Sequence, residues 1–192
     1  GCTRLCMAGG VALNCVANGQ ILRDSPVEEL FVQPAAGDNG GAMGAALWLW
    51  HQVLDKPREW KFNNAYLGPE YTEQQIQLTL DKYGAVYRRL DKIDLYRETA
   101  DLLDQSMVVG WCQGRMEWGP RALGHRSILG DARHPEMREI INEKIKMREG
   151  FRPFAPSVLE EDCQQYFDLN QPSPYMLLVA PVQENIVKSD KP

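Results

Sequence analysis

The sequence predicts an α/β fold, and three observations lead to that prediction. Strand-like runs alternate with helix-like runs over the first 54 residues, an order typical of parallel strands covered by helices. Two of the strand-like runs end in glycine-rich turns that open a helix. The 192 residues are 44% hydrophobic and 24% charged, the composition of an ordinary globular protein.

The first 56 residues are expected to form two strand–loop–helix units. The predicted elements, in chain order, are a strand over 3–8, a short helix that begins at 11 within the run 11–22, a strand over 28–34, a loop over 35–41 and a helix over 42–54. Gly19 is expected to end the first helix, because glycine weakens helices. Residues 57–70, with two prolines, two asparagines and no periodicity, are predicted to be a linker between domains.

A second, mixed α/β domain is predicted over residues 71–192. Its first helix is expected to start after the N-cap Thr72 and to end at Gly84. The predicted elements that follow are a helix over 94–106, strands over 107–113 and 126–133, a helix over 134–147 with Pro135 in its first turn, a loop entering a strand over 148–159, and a strand over 174–182.

Charge is distributed unevenly along this acidic chain. The net charge is −5, yet residues 111–153 contain seven of the thirteen arginines. A local arginine cluster in an acidic protein favours a small anionic ligand and argues against nucleic acid. No apolar run approaches the roughly 20 residues of a membrane helix. The five cysteines match no metal or redox motif, and free thiols in a cytoplasmic protein are expected.

Two glycine-rich loops are candidates for anion binding. Gly9 and Gly10 follow the first predicted strand, where backbone N–H groups at a helix start can approach an anion; a simple tight turn is the alternative. The second loop presents Asp38 and Asn39, and loops at the carboxyl ends of parallel strands line the ligand crevice. Asp38 suits a hard metal ion or, alternatively, the N-cap of the next helix.

An arginine-rich loop, GRMEWGPRALGHRS, covers residues 114–127. Glycine and proline kinks stiffen it, and Arg115, Arg121 and Arg126 project from it. Arginine binds phosphate oxygens in pairs, so an anion site is predicted, with ordinary surface pairing to Glu117 or Asp131 as the alternative. Glu117 could orient an arginine or act as a base, and its position does not decide between these roles. His125, the one histidine in this loop, is a further site candidate. Downstream, the candidates continue with Arg148 and Arg152.

Four stretches together resemble one enzyme family. LCMAGGVALNCVANGQI, VQPAAGDNGGAMGAAL, GRMEWGPRALGHRSILGDAR and KMREGFRPFAPSVL are similar to the carbamoyltransferases of the nodulation-factor and antibiotic-tailoring type, in that family's order. The resemblance implies that residues 1–56 are the end of a Kae1-like domain of the actin-like ATPase type. It implies a YrdC-like domain over 71–192.

The resemblance also implies roles for individual residues. Gly9, Gly10 and Asn14 match the nucleotide motif, and Asn39 and Gly40 lie in the second loop of that site. Asp38 matches a metal ligand, for iron, magnesium or another divalent ion. The two arginine-rich signatures of the carbamoyl-phosphate domain contain five candidate catalytic residues: Arg115, Arg121, Arg126, Arg148 and Arg152.

The implied reaction consumes carbamoyl phosphate and ATP. The family forms a carbamoyl-adenylate and passes the carbamoyl group to a hydroxyl of a sugar or other small acceptor. The remaining metal ligands, a histidine pair, are expected before Gly1, so this chain is expected to be a fragment without turnover of its own. A non-catalytic nucleotide- and anion-binding module is the alternative. The acceptor stays open, as does the oligomeric state, a homo-oligomer included.

Overall fold

The structure is a computed structural model that describes residues 1–187. Its contacts divide the chain into two compact units. The first unit contains Gly1–Ala65, Trp118–Leu123 and the described residues from Ser157 onward; the second contains Tyr66–Glu117 and Gly124–Pro156. The predicted domain limits, 1–56 and 71–192, remain predictions, and the last five residues of the second lie outside the described residues.

The first unit contains a pair of parallel strands. Strand β1 spans Arg4–Met7 and β2 spans Glu29–Val32, with Arg4 opposite Glu29 and Met7 opposite Val32. Alternate residues of β2 are buried, as the two-residue period of a strand requires. Both predicted strands and their parallel pairing are confirmed.

Helix α1 of the first unit begins later than predicted. A 3₁₀ turn over Gly10–Leu13 precedes it, and α1 itself spans Cys15–Asp24. Asn14 has extended backbone angles, and its side chain accepts a hydrogen bond from the amide of Ala17 at 3.1 Å, so it caps the helix. The prediction of a helix from residue 11 to near Gly19 is therefore wrong at both ends.

Helix α2 spans Asp38–Trp48 and continues as a π-helical turn over Leu49–Val53. The helix therefore begins four residues earlier than predicted, and residues 38–41 of the predicted loop over 35–41 are helical. A carboxylate in the first turn of a helix is favourable, because it faces the positive end of the helix dipole. Asp38 occupies that position and so favours the earlier start.

The core of the first unit forms where β2 meets residues near both ends of the chain. Its buried cluster consists of Ala12, Leu30, Val32, Ala36 and Leu177. The predicted strand over 174–182 is wrong. The β-pairing of this segment is a single isolated bridge between Phe167 and Val182, and not a ladder. The side chain of Gln171 instead bonds both backbone groups of Leu30, at 3.1 and 3.0 Å, where a neighbouring strand would otherwise pair.

The second unit begins with two helices whose caps are local. Helix α3 spans Glu73–Lys82, and Thr72 and Gln75 form a reciprocal capping box at its start. Gly84 donates its amide to the carbonyl of Asp81 just beyond the end of α3, which confirms both predicted limits. Helix α4 spans Lys92–Asp104 and is capped by Asp91.

An antiparallel strand pair follows in the second unit. Strand β3 spans Val109–Cys112 and β4 spans Arg126–Leu129, which confirms strands at both predicted places. No helix within residues 1–187 has the length and apolar character needed to cross a bilayer.

The rest of the second unit departs from the prediction. Helix α5 spans Met137–Glu139 and continues as a π-helical turn over Ile140–Ile145, so Pro135 precedes the helix instead of lying in its first turn. The strand predicted at the end of 148–159 is absent. Pro153 and Pro156 explain this, because proline has no N–H for a strand ladder.

Candidate functional site

The two glycine-rich loops of the first unit adjoin each other. Each follows the carboxyl end of a strand in the parallel pair, and the amide of Gly9 donates to the carbonyl of Ala36 at 2.7 Å. A Cβ built on Gly37 would lie 4.0 Å from the Cα of Gly10. The two loops therefore lie side by side, as expected for neighbouring parallel strands.

Several residues of these loops stabilise the local structure of the first unit. Asn14 caps α1, and the amide of Gly40 donates to the carbonyl of Gly37 at 2.9 Å. A Cβ on Gly40 would lie 2.4 Å from the carbonyl oxygen of Ala35, so close packing requires glycine there. Asn39 is exposed. Nucleotide binding by these residues stays a prediction.

Asp38 is the first residue of α2, and its side chain is exposed. Gly37 occupies the N-cap position without a side-chain cap bond, so the alternative that Asp38 caps the helix is wrong. Within residues 1–187, no group of three or more His, Cys, Asp or Glu side chains is arranged to hold a metal ion. The described residues do not fit a complete metal site, and Asp38 remains a single predicted ligand.

Arg121 belongs to the first unit. Its Nη2 donates to the carbonyl of Leu13 at 3.1 Å, immediately before Asn14. Its Nε is buried and has no hydrogen-bond partner among residues 1–187. The segment that carries it is held by the amide of Trp118, which donates to Ala65 at 2.7 Å. Arg121 therefore lies beside the first glycine loop.

Arg126 lies in the second unit and is held by three carbonyl groups. Its Nη1 donates to Gln113 and His125, both at 2.8 Å, and its Nη2 donates to Gly114 at 3.1 Å. Carbonyl oxygens orient a guanidinium without cancelling its charge. The charge of Arg126 is thus fixed in place and remains available to an anion.

The three arginines of the 114–127 loop divide between the units. Arg115 and Arg126 lie in the second unit, whereas Arg121 lies in the first. Arg115 is exposed, and its Nη2 donates to the carbonyl of Leu67 at 3.2 Å. The expectation that all three contact one phosphate stays a prediction.

Glu117 organises the chain where β4 begins. Its Oε1 accepts hydrogen bonds from the backbone amides of His125 at 2.8 Å and Arg126 at 3.1 Å. The Nδ1 of His125 lies 2.6 Å from the carbonyl of Arg115, so Nδ1 carries a proton and donates it to that oxygen. The His125 ring stacks on Tyr66, with centroids 3.6 Å apart. Burial and then the charge of Glu117 raise the pKa of Tyr66 above its ordinary 10.0.

The second arginine signature is arranged around a residue that the sequence analysis did not single out. Asn142 is fully buried, and its Oδ1 accepts from the Nε of Arg148 at 2.7 Å. The Arg148 guanidinium also lies 5.2 Å from the centroid of the Phe154 ring. An asparagine directly after Ile140 and Ile141, inside a predicted helix, was the available sequence signal.

Surface ion pairing accounts for some arginines of the basic segment. Arg133 pairs with Asp104 at 2.7 Å and with Asp131 at 2.8 Å. Arg152 is exposed and pairs through Nε with Glu149 at 2.9 Å. The alternative of ordinary surface pairing is therefore correct for Arg133, and it accounts for one contact of Arg152.

The same alternative fails for Arg115, Arg126 and Arg148. In the part of the chain that the structure describes, none of these three guanidiniums has a carboxylate within 4.0 Å. Their partners are backbone carbonyls and one amide oxygen. These three guanidiniums of the second unit are thus oriented by neutral oxygen atoms and not by direct ion pairs.

Comparison with known proteins identifies two family profiles in the chain. A profile described as Carbamoyltransferase N-terminus matches residues 1–47. A second, described as Carbamoyltransferase C-terminus, matches residues 100–190. The two matches together cover more than two thirds of the chain and include every candidate site residue.

Individual relatives match almost the whole chain. An uncharacterised protein of Synechocystis sp. is 53% identical, over 97% of this chain and 31% of its own length. Nodulation protein NolO of Bradyrhizobium diazoefficiens is 44% identical, over 96% and 34%. The 3'-hydroxymethylcephem-O-carbamoyltransferase of Streptomyces clavuligerus is 33% identical, over 95% and 33%. The chain spans about a third of the length of these curated relatives.

Proposed function

The chain belongs to the carbamoyltransferase family of the nodulation and antibiotic type, and from that premise we propose that the protein transfers a carbamoyl group from carbamoyl phosphate to a hydroxyl of a sugar or other small molecule. ATP is the proposed co-substrate, and a carbamoyl-adenylate is the proposed activated intermediate. The Streptomyces relative is named as an O-carbamoyltransferase, which supports a hydroxyl acceptor.

We assign the carbamoyl-phosphate site to the second unit. The observation that supports this most is that Arg115, Arg126 and Arg148 are held by neutral oxygen atoms and form no direct ion pair within residues 1–187. A phosphate dianion binds such guanidiniums through paired, charge-assisted hydrogen bonds. Charges that are oriented beforehand also stabilise the phosphate as it leaves the carbamoyl group, because nothing must reorganise during the reaction.

We assign the nucleotide to the adjoining glycine loops of the first unit. These loops follow parallel strands and precede the helices α1 and α2, and helix starts favour anions such as phosphates. This assignment extends to the fold: residues 1–56 are proposed to be the end of a Kae1-like domain and 71–192 a YrdC-like domain. The described residues do not complete a metal site, and Asp38 is the one metal ligand that they are proposed to supply.

Arginine substitutions in the intact protein test this function. Arg126→Ala and Arg152→Ala, both in the second unit, are expected to abolish carbamoyl-phosphate consumption, measured as phosphate release. Arg133→Ala is the matched control, because Arg133 lies in the same basic segment with its charge paired to Asp104 and Asp131. The control is expected to keep wild-type turnover. Wild-type turnover in both of the other variants would refute the anion site.

A further inference from the structure

We propose that Asn142 is a positioning residue for the anion-binding arginines Arg148 and Arg152. It acts by holding the Arg148 guanidinium and the backbone of the 148–152 loop in one arrangement. This inference rests on the proposed function, in which both arginines serve the carbamoyl-phosphate site. All the contacts that support it lie within the second unit.

The hydrogen bonds of Asn142 determine its orientation. Its Oδ1 accepts from Arg148 Nε at 2.7 Å, while its Nδ2 donates to the carbonyls of Arg152 at 2.9 Å and Gly150 at 3.3 Å. Reversing the amide would place its NH₂ group against a guanidinium and its oxygen against two carbonyls. The residue is completely buried, so water cannot replace any of these partners.

The backbone strengthens the same arrangement. The amide of Arg148 donates to the carbonyl of Asn142 at 3.0 Å. Met147, the residue directly before Arg148, adopts a positive φ of 48°, a conformation that non-glycine residues rarely take. The chain therefore ends its helix and turns so that Arg148 meets Asn142 through both backbone and side chain.

This geometry leaves the outer edge of Arg148 for a ligand. Its Nε is engaged by Asn142, and its guanidinium lies 5.2 Å from the Phe154 ring centroid, where Lys146 also approaches at 5.9 Å. Within residues 1–187, Nη1 and Nη2 of Arg148 make no hydrogen bond, and no carboxylate oxygen lies within 4.0 Å of the guanidinium. Two terminal NH₂ groups on one fixed plane match the oxygens of a phosphate.

The arrangement requires an amide at position 142. An aspartate of nearly the same shape would neutralise Arg148 and would direct a carboxylate oxygen at the carbonyls of Gly150 and Arg152. Asn142→Asp therefore changes charge and hydrogen bonding with little change in volume. We expect it to raise the KM for carbamoyl phosphate by about tenfold to a hundredfold, because a neutralised Arg148 would lose its hydrogen bond to the charged phosphate.

The test compares Asn142→Asp with Asn18→Asp in the intact protein. Asn18 is equally buried and likewise donates to two carbonyls, at 2.8 and 3.0 Å, but it contacts no arginine guanidinium in these bonds. Both variants are expected to lower the Tm, and Asn142→Asp alone is expected to raise the KM for carbamoyl phosphate. Equal KM values in Asn142→Asp and the wild type would overturn the inference.

A second variant covers the case in which Asn142→Asp does not fold. Arg148→Lys keeps the charge but removes the Nε that Asn142 binds, and it is expected to raise the same KM. A wild-type KM in Arg148→Lys would overturn the inference. If the wild-type protein itself shows no carbamoyl-phosphate-dependent turnover, the proposed function fails and this inference fails with it; the wild-type measurement distinguishes the two cases.

Discussion

Replacing Asn18 with alanine is expected to destabilise the first unit strongly. Asn18 lies in α1, is fully buried, and donates to the carbonyls of Ala12 at 2.8 Å and Leu177 at 3.0 Å. These bonds join the helix to the 3₁₀ turn before it and to a segment 159 residues later in the chain. Alanine would leave two buried acceptors without a donor.

The magnitude follows from those contacts. An unsatisfied buried acceptor costs about 1–3 kcal/mol, so two would cost about 2–6 kcal/mol. Part of this is regained, because the Oδ1 of Asn18 is itself buried without a partner among residues 1–187. The higher helix propensity of alanine returns roughly another 0.5 kcal/mol. The expected net loss is about 2–3 kcal/mol.

Asn14→Ala is the matched control for this experiment. Asn14 makes one exposed cap bond to the same helix, and its replacement should cost about 1 kcal/mol. Urea unfolding of the purified chain, followed by far-UV circular dichroism, measures both values. If Asn18→Ala costs no more than Asn14→Ala, the buried hydrogen bonds do not stabilise the unit as argued.

Two further predictions concern the arginine-rich loop. A Cβ on Gly119, whose φ is +130°, would lie 2.8 Å from the carbonyl oxygen of Pro34. Gly119→Ala should therefore displace Arg121 and lower turnover at least about tenfold, because a small misplacement of a functional side chain already slows catalysis. Unchanged turnover would contradict this. Glu117→Gln keeps an acceptor but removes the charge, and should lower the raised Tyr66 pKa partway toward 10.0 in a spectrophotometric titration. An unchanged pKa would exclude that charge as a cause. Stability from the raised pKa is present below pH 10 and is lost above it.

Local sequence signals predicted the elements that depend on local contacts. The capping box of Thr72 and Gln75 sets the start of α3, and both partners lie within four residues. The strands β1 and β2 were visible as apolar runs ending in glycine-rich turns. Their parallel pairing followed from the strand–helix–strand order.

Elements that depend on distant partners could not be predicted in this way. The apolar run over 174–182 has the residue types of a strand, yet Gln171 takes the backbone groups of Leu30 that a strand would pair with. A residue pattern shows that a segment can be extended, but it does not show whether another strand lies beside it. The same applies to the end of 148–159, where prolines remove the donors.

The residues of the candidate site also fall into those that local sequence signals predict and those that depend on tertiary contacts. Arginine type, glycine spacing and loop position are properties of short segments, and they led to Arg115, Arg126 and Arg148. Asn142 depends instead on how the 148–152 loop folds back on a helical turn, and its contacts span six to ten residues. Glu117 lies in the arginine-rich loop, but its partners, the amides of His125 and Arg126, are set by tertiary structure.

Pyrophosphate release by the intact wild-type protein tests the central claim most directly. ATP is supplied with and without carbamoyl phosphate, and pyrophosphate is measured in each case. The proposed carbamoyltransferase releases pyrophosphate when carbamoyl phosphate is present and little in its absence. Binding of ATP and carbamoyl phosphate by calorimetry, without any carbamoyl-phosphate-dependent pyrophosphate, would contradict the claim and would indicate a non-catalytic binding module.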